Sequence, residues 1–145
     1  MIEQETSDRR PLPAVTALTA PYWDAAQQRR LAIQHCRHCD RFQHPPAPTC
    51  STCRGTDLDW QQVSGLGRVV QSTTVWMARI KGFESTPYQC VAVELDEQPS
   101  LLVLGNYVNS SDFTECSIGR RVEVVFEPSR NGFLLPQFQP TKDNR

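Results

Sequence analysis

The stretch CRHCDRFQHPPAPTCSTC, residues 36–53, decides the first half of the fold. It holds two Cys-x-x-Cys pairs, Cys36/Cys39 and Cys50/Cys53, with ten residues between the pairs. Each pair sets two thiols on one tight turn, a knuckle. Two knuckles facing each other complete a sulfur tetrahedron, the donor set that zinc prefers. Four cysteine ligands leave no coordination position for water or substrate. The metal is therefore read as structural, and the function is sought elsewhere in the chain. Rubredoxin-type iron sites also use two such pairs, but the short separation here suits a zinc ribbon of two small hairpins. Two disulfides are the other competing reading. The N-terminus MIEQETSDRR argues against them, because it is charged and has no apolar signal core. That gives the expectation of a reducing, cytoplasmic setting. His35, His38 and His44 fall in or beside the same stretch. With four cysteines present they are read as surface groups or as hydrogen-bond partners around the site.

Upstream, residues 1–19 are polar with Pro11 and Pro13, and are expected to be a flexible tail. APYWDAAQQRR, residues 20–30, predicts a helix with Pro21 in its first turn and Arg29 and Arg30 near its negative end. Its large apolar residues are Tyr22 and Trp23. Either they pack on their own domain or they anchor the helix to another protein, as aromatics on short polar helices do. Leu31 and Ile33 alternate with Ala32 and Gln34, a strand pattern that leads into the first knuckle. The prolines of residues 41–49 exclude a helix between the knuckles. Residues 58–64 return as a strand. A helix and ribbon over 20–63 bury little surface, so the metal supplies much of their folding energy.

Downstream, residues 64–140 change character, and 141–145 form a short C-terminal tail. Five strands are predicted: RVVQSTTVWM from 68, QCVAVEL from 89, SLLVLGNYV from 100, RRVEVVFE from 120 and GFLLPQF from 132. Val91, Val93 and Leu95 share one face, as do Val122, Val124 and Phe126, and Cys90 reads as core. Gly105 suggests a bulge or bend. Asn131-Gly132 predicts a two-residue hairpin turn. Residues 109–119 have room for one helical turn, capped by Ser110 or Ser111 and stopped at Gly119. Five strands with that helical segment between the third and fourth match an OB-type barrel, and another small five-stranded barrel gives a similar string. The fold class is thus mainly β: an N-terminal helix, a rubredoxin-like zinc ribbon and a five-stranded OB-fold barrel.

The 145 residues carry a formal net charge of -1, unlike the basic footprint of a duplex nucleic-acid binder. No apolar run approaches the ~20 residues of a membrane span. Gly65 and Gly67 precede a strand, the wrong order for a phosphate-cradling loop. No catalytic constellation emerges. Trp76, Arg79, Lys81 and Phe83 cluster after the first barrel strand. They suit a stacked base of single-stranded nucleic acid, an adenine-phosphate ligand, or mere support of their loop.

Taken together, PYWDAAQQRRLAIQHCRHCDRFQHPPAPTC (21–50), VSGLGRVVQSTTV (63–75), PYQCVAVELDE (87–97), IGRRVEVVFE (118–127) and FLLPQFQP (133–140) resemble the acyl-CoA-associated family of zinc-ribbon plus OB-fold proteins. The similarity spans about 20 to 140. All four cysteines match, while Asp40 stands where the family usually has glycine. The resemblance implies a non-catalytic accessory subunit that docks on a thiolase, a lipid-transfer-type aldolase or a hydratase of lipid or sterol side-chain breakdown. The partner supplies the chemical groups, and the barrel lies near the CoA end of the shared CoA ester. On this chain Tyr22 and Trp23 would then be docking anchors. Arg79 and Lys81, with Trp76 and Phe83, would face the CoA. A single-stranded nucleic-acid-binding OB protein is the alternative, and a rubredoxin-like electron carrier a third.

Overall fold

The segment Leu31–Cys36 forms the predicted strand, β1, and is buried at every one of its six positions. The structure, a computed structural model, describes residues 9–112 and 116–142. β1 is buried because it is central. It pairs antiparallel with β2 (Phe42–Gln43) on one side and β3 (Leu58–Val63) on the other. The helix α1 (Ala20–Gln27) packs against it through Tyr22, Ala25 and Ala26. α1 is shorter than the predicted span. Arg29 takes a left-handed φ of 57°, and the N–H groups of Arg29 and Arg30 close back on the carbonyls of Ala26 and Ala25. Both arginines thus lie past the helix end. Arg29 instead donates to the Phe126 carbonyl at 3.3 Å.

The second sheet closes. Strands β4 (Leu66–Val75), β5 (Tyr88–Leu95), β6 (Leu102–Tyr107), β7 (Arg121–Pro128) and β8 (Leu134–Pro140) form a barrel in the order β4-β5-β6-β8-β7. The closing contact is parallel: Tyr107 sits opposite Phe138, and the Val108 N–H donates to the Phe138 carbonyl at 2.8 Å. β4 pairs with β7 over Leu66–Arg68 and with β5 over Gly67–Val75. A register shift between Val69 and Gln71 lets it bend from one partner to the other. At Gly67 a Cβ would lie 2.3 Å from the Glu94 carbonyl, so only glycine permits that approach. The β5–β6 ladder runs through Gly105 without a shift, contrary to the predicted bulge. What Gly105 supplies is room, since a Cβ there would meet the Phe138 ring at 3.1 Å.

Other local expectations are corrected as well. Cys90 is exposed and not core, because it points away from its buried neighbour Val91. The β7–β8 hairpin turns through Arg130–Gly132, inside a Ser129 N–H to Phe133 carbonyl bond of 2.7 Å. Asn131 and Gly132 both have positive φ, but the loop is one residue longer than a two-residue turn. The helical turn expected within 109–119 falls across 113–115, which lie outside the described residues; no helix appears in the described part of that segment. Residues 9–19, read as part of a flexible tail, lie partly against the barrel, where Arg10 pairs with Glu127 at 2.8 Å.

One hydrophobic cluster joins the two sheets, running from Tyr22, Leu31 and Ile33 to Val93, Val103, Val122 and Phe138. Glutamine side chains bind what the cluster cannot. Gln98, on the β5–β6 turn, accepts from the Phe42 N–H at 2.9 Å and donates to its carbonyl at 3.0 Å. Gln27 does the same for Leu134 at 2.9 and 3.1 Å, fixing α1 to β8. Gln34 clasps Ala47 at 2.9 and 3.0 Å, and Gln43 holds the Ser51 N–H and the Thr49 carbonyl at 2.8 and 3.1 Å. Each carboxamide gives a donor and an acceptor, so one side chain satisfies backbone that no ladder reaches.

Gln98→Ala should cost about 1–2 kcal/mol in urea denaturation, since it strips two backbone groups of their partners. Gln98→Glu keeps the acceptor alone and should fall between. Asp96 makes a bidentate pair with Arg121 at 2.6 and 2.7 Å, and that hydrogen-bonded guanidinium holds its carboxyl below the usual range. A depressed carboxyl stabilises above its unfolded pKa of about 3.9 and loses that contribution as pH falls through the folded value. Asp96→Asn should therefore cost about 0.5–1 kcal/mol at neutral pH, a partly exposed pair being worth no more. The gap to wild type should shrink on going below about pH 4.

Candidate functional site

Each knuckle is built the same way. The Asp40 N–H donates to the Cys36 carbonyl at 2.8 Å, and the Arg54 N–H to the Cys50 carbonyl at 3.0 Å. The Cys36 N–H reaches the Arg41 carbonyl, and the Cys50 N–H the Gly55 carbonyl, both at 2.8 Å. The residue after the second cysteine must therefore be left-handed, with φ of 60° at Asp40 and 65° at Arg54. Asp40 is one of the few non-glycine types that visit this region readily. Its carboxylate is held by the His35 Nε2 at 2.7 Å.

The two knuckles bring all four sulfurs within 4.8 Å of one another. Cys36 lies 3.6 Å from Cys53, and Cys39 lies 3.5 Å from Cys50. A zinc–sulfur bond of about 2.3 Å implies tetrahedral edges of about 3.8 Å, so the cluster fits the ion. Backbone amides of Cys53 and Thr52 draw the Cys50 thiol down to about 6, whereas burial and its sulfur neighbours push Cys39 up to about 12. Metal binding requires the thiols as thiolates, so it releases their protons. The ribbon's four cysteines are thus close enough to hold one ion as a structural site.

The histidines do not join it. Burial alone would lower the pKa of His35, but the carboxylates of Asp40 and Asp59 outweigh that and raise it. Its Nδ1 lies 2.9 Å from Asp59, and its ring packs on Phe42. His38 is exposed. His44 is packed against Tyr22 with ring centroids 5.1 Å apart; burial lowers its pKa, and its Nδ1 has no partner among the described residues.

Tyr22 itself belongs to the core, with burial pushing its phenol up to about 12. Trp23 is half-buried, edge-on to Tyr22 at 4.9 Å and tilted on Phe133 at 5.6 Å. Both line a largely apolar groove of about 520 Å³ with His44, Pro45, Leu102 and Leu104. Leu104 stands 76% exposed at this groove. The sequence reasoning missed this junction of helix, ribbon and barrel. Its one signal was the run Leu101–Leu104 at the start of β6: Leu101 and Val103 fill the core, and Leu102 and Leu104 face out.

The β4–β5 loop carries the other candidate residues. Trp76, Arg79 and Lys81 are exposed, as are Met77 and Ile80, while Phe83 is half-buried against Tyr88 at 6.1 Å. The loop therefore exposes an indole and two cations. No helix of the described residues is long and apolar enough to cross a membrane.

Two family descriptions match the chain in succession. Residues 23–59 match "ChsH2, rubredoxin-like zinc ribbon domain", and residues 60–127 match "ChsH2, C-terminal OB-fold domain". The chain is similar to the "Probable enoyl-CoA hydratase alpha subunit" of Thermomonospora curvata, 33% identical over 138 residues. That match takes in 95% of this chain but only 42% of the relative's length. Among solved structures it is similar to a chain of an "Ltp2-ChsH2(DUF35) aldolase", with TM-score 0.80, 32% identity, and coverage of 89% of this chain and 98% of that one. A DUF35-family protein of unknown function from Sulfolobus solfataricus shares the fold, at TM-score 0.61 and 12% identity over 88% of this chain and 87% of its own.

Cys36→Ser and Cys50→Ser should each lower bound zinc well below one ion per chain by elemental analysis. Amide exchange in β1–β3 should accelerate far more than in the barrel strands.

Proposed function

The chain belongs to the ChsH2 family of zinc-ribbon and OB-fold proteins, and from that membership we propose that it is an accessory subunit of a thiolase-superfamily enzyme acting on acyl-CoA. The observation that supports this reading is the 32% identity to a chain of an Ltp2-ChsH2(DUF35) aldolase, of which this chain covers 98%. The chemistry agrees. The sulfur-saturated site offers no open position. His35 is committed to its carboxylates and His44 to the Tyr22 ring, so neither is poised as a general base. The reacting groups then belong to the partner, a thiolase-like or lipid-transfer-type aldolase in a cytoplasmic hetero-oligomer. The acyl chain would be a lipid or sterol side chain.

Within that complex the apolar groove around Trp23 takes the partner's surface. Its lining bears no net charge once His44 is neutral, and the protruding Leu104 needs a large apolar surface to cover it. The β4–β5 loop takes the CoA end of the ester. Trp76 would stack on the adenine while Arg79 and Lys81 meet phosphate, with Phe83 supporting the loop.

Co-expression with a genomically neighbouring thiolase-like enzyme should yield a stable complex whose acyl-CoA turnover collapses when this chain is left out. Equal turnover without it would end the proposal. Leu104→Asp should weaken the complex at least tenfold by titration calorimetry without lowering the melting temperature, because the side chain is already in water. Replacing Arg79 and Lys81 together by alanine should raise KM for the CoA ester about tenfold with kcat little changed, the pattern of lost uniform binding.

A further inference from the structure

The β4–β5 loop, residues 76–87, is twelve residues long, and its own backbone ties are few. Phe83 N–H reaches the Ile80 carbonyl at 3.1 Å, and Thr86 N–H reaches the Glu84 carbonyl at 2.9 Å. A loop of that length with so little internal bonding has wide freedom unless something outside holds it. Something does. The backbone of Arg9 and Arg10 crosses directly over Gly82, so close that a Cβ on Gly82 would lie 2.3 Å from the Arg10 nitrogen and 2.5 Å from the Arg9 carbonyl carbon. Gly82 also has a φ of 96°, a second reason for glycine there. Its N–H is taken by the Glu84 carboxylate at 2.7 Å. The crossing segment is itself fixed to the barrel, because Arg10 Nη1 meets Glu127 Oε1, near the end of β7, at 2.8 Å. Both side chains are largely shielded, 17% and 31% exposed, so water and salt screen the pair less than an open surface pair. Segment and loop together border a cleft of about 330 Å³ lined by Arg10, Phe83, Tyr88, Tyr107 and Glu127 among others.

We propose that Arg10 and Glu127 are positioning residues: their ion pair seats the N-terminal segment on Gly82 and so fixes where the loop presents Trp76, Arg79 and Lys81. What the loop then contacts rests on the CoA reading above, whereas the tether does not. Removing the pair frees the loop without touching any group assigned to ligand.

Trypsin cuts after Arg79 and Lys81, so the loop reports its own opening. Cleavage follows the open population when reclosing is fast, and a pair of this kind should shift that population about fivefold. In the full-length chain Arg10→Glu should speed cutting at these two bonds by about that factor, read by mass spectrometry, at an unchanged melting temperature. Adding Glu127→Arg should return the rate to the wild-type value. Gly82→Ala, which the loop accepts only by displacing the segment, should accelerate cutting at least as much. Unchanged cutting in Arg10→Glu and in Gly82→Ala overturns the tether. Coenzyme A titrated into each protein gives the second readout, with a weaker affinity in Arg10→Glu that the double variant restores. Faster cutting beside a wild-type coenzyme A affinity overturns the positioning role. A wild-type chain that binds no coenzyme A, alone or with its partner enzyme, refutes the CoA reading instead, and the proteolysis decides the tether by itself.

Discussion

Four thiols crowded within 4.8 Å cannot all ionise unless a cation stands among them. That requirement organises the ribbon. Its three strands include one of only two residues, and the segment between the knuckles is mostly proline and loop. Such a unit has too little apolar surface to hold itself, so the metal and the barrel beneath it must do so together. β1 is the hinge of that arrangement. It runs into the first cysteine at one end, and its Leu31 and Ile33 belong to the same apolar cluster as the barrel residues Val93 and Val122. Metal ligation and core packing therefore act on one strand, and neither is independent of the other.

Much of this was legible in the residues. The cysteine spacing announced the sulfur cluster, because two-residue gaps allow little but a knuckle. The five apolar runs announced the barrel strands, and the structure adds the parallel β6–β8 contact that closes them, which no single-strand pattern can encode. The resemblance to the zinc-ribbon and OB-fold family agreed with the matches over residues 23–127. The misreadings share a cause. β1 was legible as a strand, but alternation shows what a strand offers, not how many neighbours cover it. Cys90 looked like core because its run is apolar, yet the pleat turns it outward beside Val91. The groove at Trp23 depends on residues from three separate segments meeting, and the run Leu101–Leu104 marks only one of them.

The glutamines are the least predictable part and among the most consequential. Gln27, Gln34, Gln43 and Gln98 each satisfy both a backbone donor and a backbone acceptor. In composition they read as ordinary surface residues. In place they act as short pieces of β-ladder, inserted where loops run past one another without a strand between them. This explains how backbone groups at Phe42, Ala47, Thr49 and Ser51 find hydrogen-bond partners.

Two of those amides, Gln27 and Gln98, span the boundary between the ribbon half and the barrel, and neither carries charge. Contacts made by neutral amides do not loosen with ionic strength or with acidity in the physiological range, as ion pairs do. The four-cysteine end and the barrel strands are consequently kept at a constant separation as salt and pH change. The molecule works as a gauge block: whatever grips one end finds the other at a preset reach.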